Sequence, residues 1–347
     1  MTTAVTRELV RAMPKAELHC HLDGSIRPAT LLELGLEYGQ PMPASTPDAL
    51  GRVMAARDVR DLDDYLRRFD ITLSIMQTAD ALRRIAYELV EDAASDGVRY
   101  IEIRFCPALN VRGSLSLGDV MDAVLRGAAL AERDHATRAR VIVCALRSMP
   151  LALSRELAEL AVEYREKGVV GFDLAGGEHG NPAAAHAAAF DLARRAGLAV
   201  TVHAGEAFGP KSVRQALFDL CANRIGHGTR LYEDPDLASY VNDRRITLEI
   251  CLTSNVQTRV VPAYDAHPLR SYFDHGLSVT LNTDNRLISG TTLTDEYLHA
   301  ARALGFTLRE LGEIAIEGFA AAFLPWEMRR TLVEEARREI DALTASR

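Results

Sequence analysis

The apolar positions of this chain fall into two alternating patterns. Short runs rich in Val, Ile and Leu recur along the sequence, and between them lie Ala-, Leu-, Glu- and Arg-rich stretches whose apolar residues repeat at helical spacing. Eight runs can be read: Ala16–Asp23, Val98–Pro107, Arg140–Ser148, Val169–Gly176, Ala199–Glu206, Arg224–Thr229, Thr247–Asn255 and Ser278–Asn285. Several are apolar without alternation, as strands are when both faces of their sheet are covered. Strands alternating with helices predict an α/β fold with a parallel sheet, and eight of them predict a closed (β/α)8 TIM barrel.

One stretch breaks the rhythm. Between the first two runs, Arg27 to Asp96 contains a Pro-rich turn (Pro41, Pro43, Pro47) and a helical segment with Tyr65, Phe69, Leu73 and Met76 on one face. A connection this long inside a barrel tends to be functional, so a helical lid insertion over about 27–96 is expected. The plainer account of each stripe residue is packing against the barrel. Thr307–Arg347 reads as two helices closing the barrel, then a charged amphipathic tail. Barrels of this kind exceed 250 residues as one unit, so residues 1–347 are expected to form a single domain.

Composition narrows the partners. The chain is 48% apolar and 25% charged, ordinary for a soluble globular protein. A net charge of -8 and a pI near 5.7 argue against nucleic acid or an anionic membrane, and favour a small molecule as partner. Cys20, Cys106, Cys144, Cys221 and Cys251 form no Cys-x-x-Cys pair, which suits a reducing compartment. Met1–Met13 has no apolar signal-like core, and no run approaches the ~18 residues of a membrane span, so a cytoplasmic location is expected.

The candidate chemistry lies at the ends of the runs. Side chains two apart on a strand share a face, with Cα atoms roughly 7 Å apart, so His19 and His21 project together while Cys20 points away as a packing residue. Gly176 and Glu178 follow the fourth run, His203 and Glu206 end the fifth, His227 lies in the sixth, and Asp284 and Asn285 end the eighth. In a barrel these positions converge on the C-terminal face, where active sites are built. His135, His186, His275 and His299 fall in helical or connecting stretches and read as surface or packing residues; His267, before Pro268, reads as a turn residue.

A single catalytic Zn2+ per chain fits these residues, with His19, His21, His203 and Asp284 as ligands and a further position for water. Five-coordination of this kind is tolerated by zinc. A binuclear site bridged by a modified lysine fares badly, because Lys15, Lys167 and Lys211 all lie outside mid-strand positions. Glu206 is free to carry a proton, and His227, between Gly226 and Gly228, has room to orient or deprotonate the water. A salt-bridged carboxylate and a buried structural histidine are the plainer alternatives.

With these residues assembled, the chain resembles the adenosine deaminase family. The resemblance runs from Glu17-Leu18-His19-Cys20-His21-Leu22-Asp23-Gly24 through Gly171-Phe172-Asp173-Leu174-Ala175-Gly176, His203-Ala204-Gly205-Glu206, Gly226-His227-Gly228 and Thr253-Ser254-Asn255 to Asn282-Thr283-Asp284. It implies zinc-dependent hydrolytic deamination of a 6-aminopurine nucleoside. By the same resemblance, Glu206 protonates purine N1, His227 and Asp284 orient the attacking hydroxide, the Gly176 N–H binds N3, and Asp23 accepts from the ribose 5′-hydroxyl. His21 and Asn285 complete the substrate contacts. Relatives acting on free adenine tend to carry Glu where Asp23 stands, so adenosine is favoured. Asn285 departs from the commoner Asp beside purine N7; an amide can donate to N7 directly, whereas a carboxyl must first be protonated. Some bacterial members with this Asp-Asn-Arg signature look like adenosine deaminases, and similar sequences act on 6-aminodeoxyfutalosine, the alternative substrate. A non-catalytic purine-binding relative would be expected to lose Glu206 or a ligand. The cytidine-deaminase zinc pattern is absent.

Overall fold

Eight parallel strands run in sequence order around a barrel: β1 (Lys15–His21), β2 (Val98–Phe105), β3 (Arg138–Leu146), β4 (Val169–Ala175), β5 (Ala199–Ala204), β6 (Arg224–His227), β7 (Thr247–Ile250) and β8 (Val279–Leu281). The structure, a computed structural model, describes residues 4–57 and 68–345. The ring closes between the last and first strands, where the His21 N–H donates to Asp284 O (2.7 Å) and the Asp284 N–H to His19 O (3.0 Å). This closure sets Asp284 beside both strand histidines.

Helices cover the outside with their apolar faces inward. Ala79–Ser95 buries Leu82, Ile85, Ala86, Leu89 and Val90, the i, i+3, i+4 set, and packs against Leu117–Asp134. Capping boxes start three of these helices, at Ser116/Asp119, Thr292/Asp295 and Thr307/Glu310, each satisfying N–H groups that a helix start leaves free. Inside the barrel the side chains are layered. Ala16, Leu18, Tyr100, Phe319 and Ala322 plug the N-terminal end. Charged residues fill the middle, and histidines the C-terminal end.

The strand β1 carries an irregularity that the sequence pattern does not announce. Glu17 pairs with Ile101 but Cys20 with Ile103, so one extra residue is accommodated on β1. Leu18 therefore joins the apolar plug, while Glu17 bonds Arg286 (2.6 Å) and Thr283 on the other face. Beyond the shift, His19 and His21 both face the lumen and Cys20 contacts Ser25, as strand alternation predicts.

The seventh and eighth runs and the C-terminal stretch differ from the sequence pattern. The seventh run is a strand only over Thr247–Ile250; Leu252–Gln257 is helical, because Glu296 accepts from the N–H and hydroxyl of Thr253 at the helix start. Asn255 thus sits on a helix. The eighth strand ends at Leu281, before Asp284. At the C-terminus Leu308–Ala321 and Trp326–Ala345 are the two helices, and the charged stretch belongs to the second.

The long β1–β2 connection is helical over Pro28–Glu37, Pro47–Met54, Phe69–Ile75 and Ala79–Ser95. Leu73 and Met76 are buried in the main core and Phe69 packs partly on it, so these members of the stripe serve packing. Tyr65 lies outside the described residues. Ala56 N–H donates to Ile288 O (2.7 Å), tying the insertion to the loop after β8.

Candidate metal centre and active site

Four nitrogen and oxygen donors meet at the C-terminal end of the barrel. His19, His21, His203 and Asp284 each present one ligand atom, all within 4.8 Å of one another. His21 Nε2 lies 3.1 Å from His203 Nε2, and Asp284 Oδ1 lies 3.4 Å from Nε2 of both His19 and His21. Adjacent ligands of a four- or five-coordinate zinc, each at about 2.0 Å, stand roughly 2.8–3.5 Å apart, so these three spacings fit.

The tautomers fit as well. His19 Nδ1 is held by Glu249 Oε2 (2.9 Å) and His203 Nδ1 by Asp173 Oδ1 (3.1 Å). A carboxylate can only accept, so each Nδ1 carries the proton and each Nε2 offers a lone pair to the shared centre. His19 Nε2 is buried with no hydrogen-bond partner among the described residues, as a ligand awaiting a metal would be.

Beneath the histidines lies a wholly buried charge network. Arg104 bridges Asp173 (3.1 Å) and Glu249 (2.8 Å); Arg224 bridges Glu249 (2.6 Å) and Glu102. Three carboxylates against two guanidiniums leave one negative charge in excess, directed at the ligand cluster. Burial alone would raise the Glu249 carboxyl, but Arg104 and Arg224 hold it well below the ordinary range. Asp173 is lowered in the same way, with His203 and Arg104 outweighing burial. These supports were not foreseen as site residues. Their signal was available: a charge inside a continuous apolar strand, as in Ile-Glu-Ile-Arg-Phe or Leu-Glu-Ile, needs a buried partner.

Close packing enforces the geometry. A Cβ on Gly226 would stand 3.0 Å from His19 Cε1 and 3.2 Å from the His203 Cα, so a larger residue would make the His19 ring or the β5 backbone give way. Asp284 (φ 60°) and His227 (φ 63°) have left-handed backbones, a cost that non-glycine residues carry chiefly at functional sites.

The other predicted residues surround the cluster. Glu206 is buried; burial raises its carboxyl above the ordinary value, opposed by His227, whose Nε2 is 3.7 Å from Glu206 Oε2. Its loop is fixed by Glu178, which accepts from the Glu206 and Phe208 N–H groups (both 2.9 Å). A cavity of about 640 Å³, lined by Glu178, His179, Glu206, Arg230 and Thr258, opens here. Asp23 is buried, its Oδ1 has no hydrogen-bond partner among the described residues, and burial pushes its carboxyl up to about 7. Gly176 follows β4 with φ 91°, a conformation suited to glycine. Asn285 is buried, its Oδ1 occupying the space where a Cβ on Gly24 would stand.

His267 lies in the turn before Pro268, as expected, but it is also buried. It is 3% exposed and bonds Asn255, which in turn bonds His227. Lys15 is buried but donates to the Val10 (2.7 Å) and Met13 (2.8 Å) carbonyls of the N-terminal segment, so it bridges no metals.

Comparison with known proteins agrees with this geometry. The family model described as adenosine deaminase matches residues 14–339. The adenosine deaminase of Mycobacterium sp. (strain JLS) is 42% identical over 351 residues, covering 96% of this chain and 97% of that protein. Among solved structures, the adenine deaminase of Arthrobacter aurescens superposes with a TM-score of 0.89 at 26% identity, covering 95% of this chain and 100% of that one. An amidohydrolase from Burkhoderia ambifaria with bound Zn gives 0.90 at 26% identity, covering 99% and 96%.

Proposed function

This chain belongs to the adenosine deaminase family, and from that membership and the geometry of its site we propose that it hydrolyses adenosine to inosine and ammonia, with one Zn2+ per chain. The observation that carries the reading is the convergence of four ligand atoms with a buried Glu206, its carboxyl raised above the ordinary value by burial, at one barrel end. His19, His21, His203 and Asp284 would hold the metal. When bound, the metal lowers the pKa of a coordinated water and so supplies a nucleophile near neutral pH.

The chain's own residues supply the rest. Glu206, whose carboxyl burial raises above the ordinary value, gives its proton to purine N1 as the water oxygen adds to C6; the C6–N1 π pair moves to N1. One water proton restores Glu206 and the other joins the departing amine, so water and nucleoside leave as ammonia and the 6-oxo product. His227 faces the same space and orients the oxygen. Asp23, buried with an unmatched Oδ1, takes the sugar 5′-hydroxyl. The Gly176 N–H binds N3, Asn285 faces N7, and His21 borders the substrate as well as the metal.

We take residues 1–347 as one catalytic domain, with the β1–β2 insertion as its lid. The partner is a purine nucleoside and not nucleic acid or membrane; no helix among the described residues is long and apolar enough to cross one. Five free cysteines, four of them buried, suit the cytoplasm as its compartment. The test is reaction in heavy-oxygen water. The proposal predicts ammonia and inosine in equal amounts with the label at the 6-oxo position; ammonia without label in the purine would overturn hydrolysis.

A further inference from the structure

The orientation of His227 is set by a chain of hydrogen bonds that begins at a backbone N–H. The Leu269 N–H donates to His267 Nδ1 (3.1 Å). A backbone nitrogen cannot accept, so His267 Nδ1 bears no proton and its proton is on Nε2. That Nε2 lies 3.2 Å from Asn255 Oδ1, which also accepts from the Thr229 hydroxyl (2.8 Å). Turning the amide over would set its N–H groups against the His267 Nε2–H, so the orientation of Asn255 is fixed. Its Nδ2 then donates to His227 Nδ1 (3.2 Å). His227 Nδ1 is therefore an acceptor, and its proton sits on Nε2, the nitrogen that faces Glu206.

We propose that Asn255 and His267 are positioning residues that hold neutral His227 with its proton on Nε2, so that His227 meets the attacking oxygen as a hydrogen-bond donor and not as a base. Reversing the tautomer would place two N–H groups against each other in a fully buried contact, since Asn255 is 0% and His227 1% exposed. His267 is suited to the first link because burial lowers its pKa to about 3, which keeps the ring neutral. The proton lost by the water goes to the Glu206 carboxylate left after N1 is protonated. The inference rests on the proposed reaction for its chemical meaning, but its tautomer claim is read independently of turnover.

The experiment is nitrogen NMR of zinc-loaded protein carrying heavy-nitrogen-labelled histidine, with the His227 signals assigned by their loss in His227→Ala. The native protein should show His227 protonated at Nε2 and bare at Nδ1. Asn255→Asp keeps acceptors for Thr229 and His267 but sets an acceptor beside His227 Nδ1. It should move the proton to Nδ1 and lower kcat about 100-fold, the loss typical of one transition-state donor, with zinc retained. A native His227 protonated on Nδ1 would overturn the proposal, as would a variant whose tautomer switches while kcat stays unchanged. Absent ammonia release with the expected native spectrum would instead count against the reaction.

Discussion

Glu249→Gln removes one buried charge that is hydrogen-bonded to a proposed metal ligand, His19. Glu249 accepts from His19 Nδ1 (2.9 Å), Arg104 Nη2 (2.8 Å), Arg224 Nε (2.6 Å) and Thr201 Oγ1 (3.0 Å), with no solvent exposure. A carboxamide has the same shape but one of its ends donates, so at least one arginine must face an N–H group. Breaking a buried, hydrogen-bonded ion pair costs about 3–5 kcal/mol. The same change removes the excess negative charge and the acceptor that orients His19. Losing such an outer contact typically costs 10- to 100-fold in metal affinity, about 1.4–2.7 kcal/mol. Urea unfolding of the metal-free protein reads the first quantity, and chelator competition the second. The expected result is a stability loss of several kcal/mol together with weaker zinc binding. Native stability with native zinc affinity would refute the view that this network is under load.

Other perturbations test separate links. Glu206→Gln should retain zinc and lose activity at least ~100-fold in steady-state assays; full activity would remove Glu206 as proton donor. Gly226→Ala should lower zinc content and activity together, because its Cβ would crowd the His19 ring and the His203 Cα; stoichiometric zinc with native kcat would show that the neighbours give way freely. Glu296, held by Thr253 and Thr291 away from the site, has its pKa raised to about 7 by burial. The folded state then binds the proton more tightly than the unfolded, so its contribution is fully present below about 4.5 and is lost as pH rises through 7, by at most about 3 kcal/mol. Urea unfolding between pH 5 and 8 should show that decline in the native protein and a flatter profile in Glu296→Gln; equal slopes would contradict the assignment.

The ligand histidines were legible because strand alternation survives where it matters: with the register shift between Glu17 and Cys20, His19 and His21 still share a face. The shift itself, which sends Leu18 inward and Glu17 outward, depends on pairing with β2 and leaves no local trace. The helix at Leu252–Gln257 was hidden because its start is stabilised by Glu296, from a distant helix. Leu252-Thr253-Ser254 reads as the end of a strand until that carboxylate is in place. The second role of His267 was hidden for a related reason. Its neighbour Pro268 predicts a turn, which is present, but its burial against Asn255 comes from the closing of the barrel.

The most direct test of the central claim is ammonia release by zinc-loaded protein from adenosine and from 6-aminodeoxyfutalosine side by side, compared as kcat/KM. The proposed site, with Asp23 ready for a free 5′-hydroxyl, predicts kcat/KM above ~10⁴ M⁻¹s⁻¹ for adenosine and a clear preference for it. A preference for the extended nucleoside, or no ammonia from adenosine at full zinc occupancy, would contradict the account.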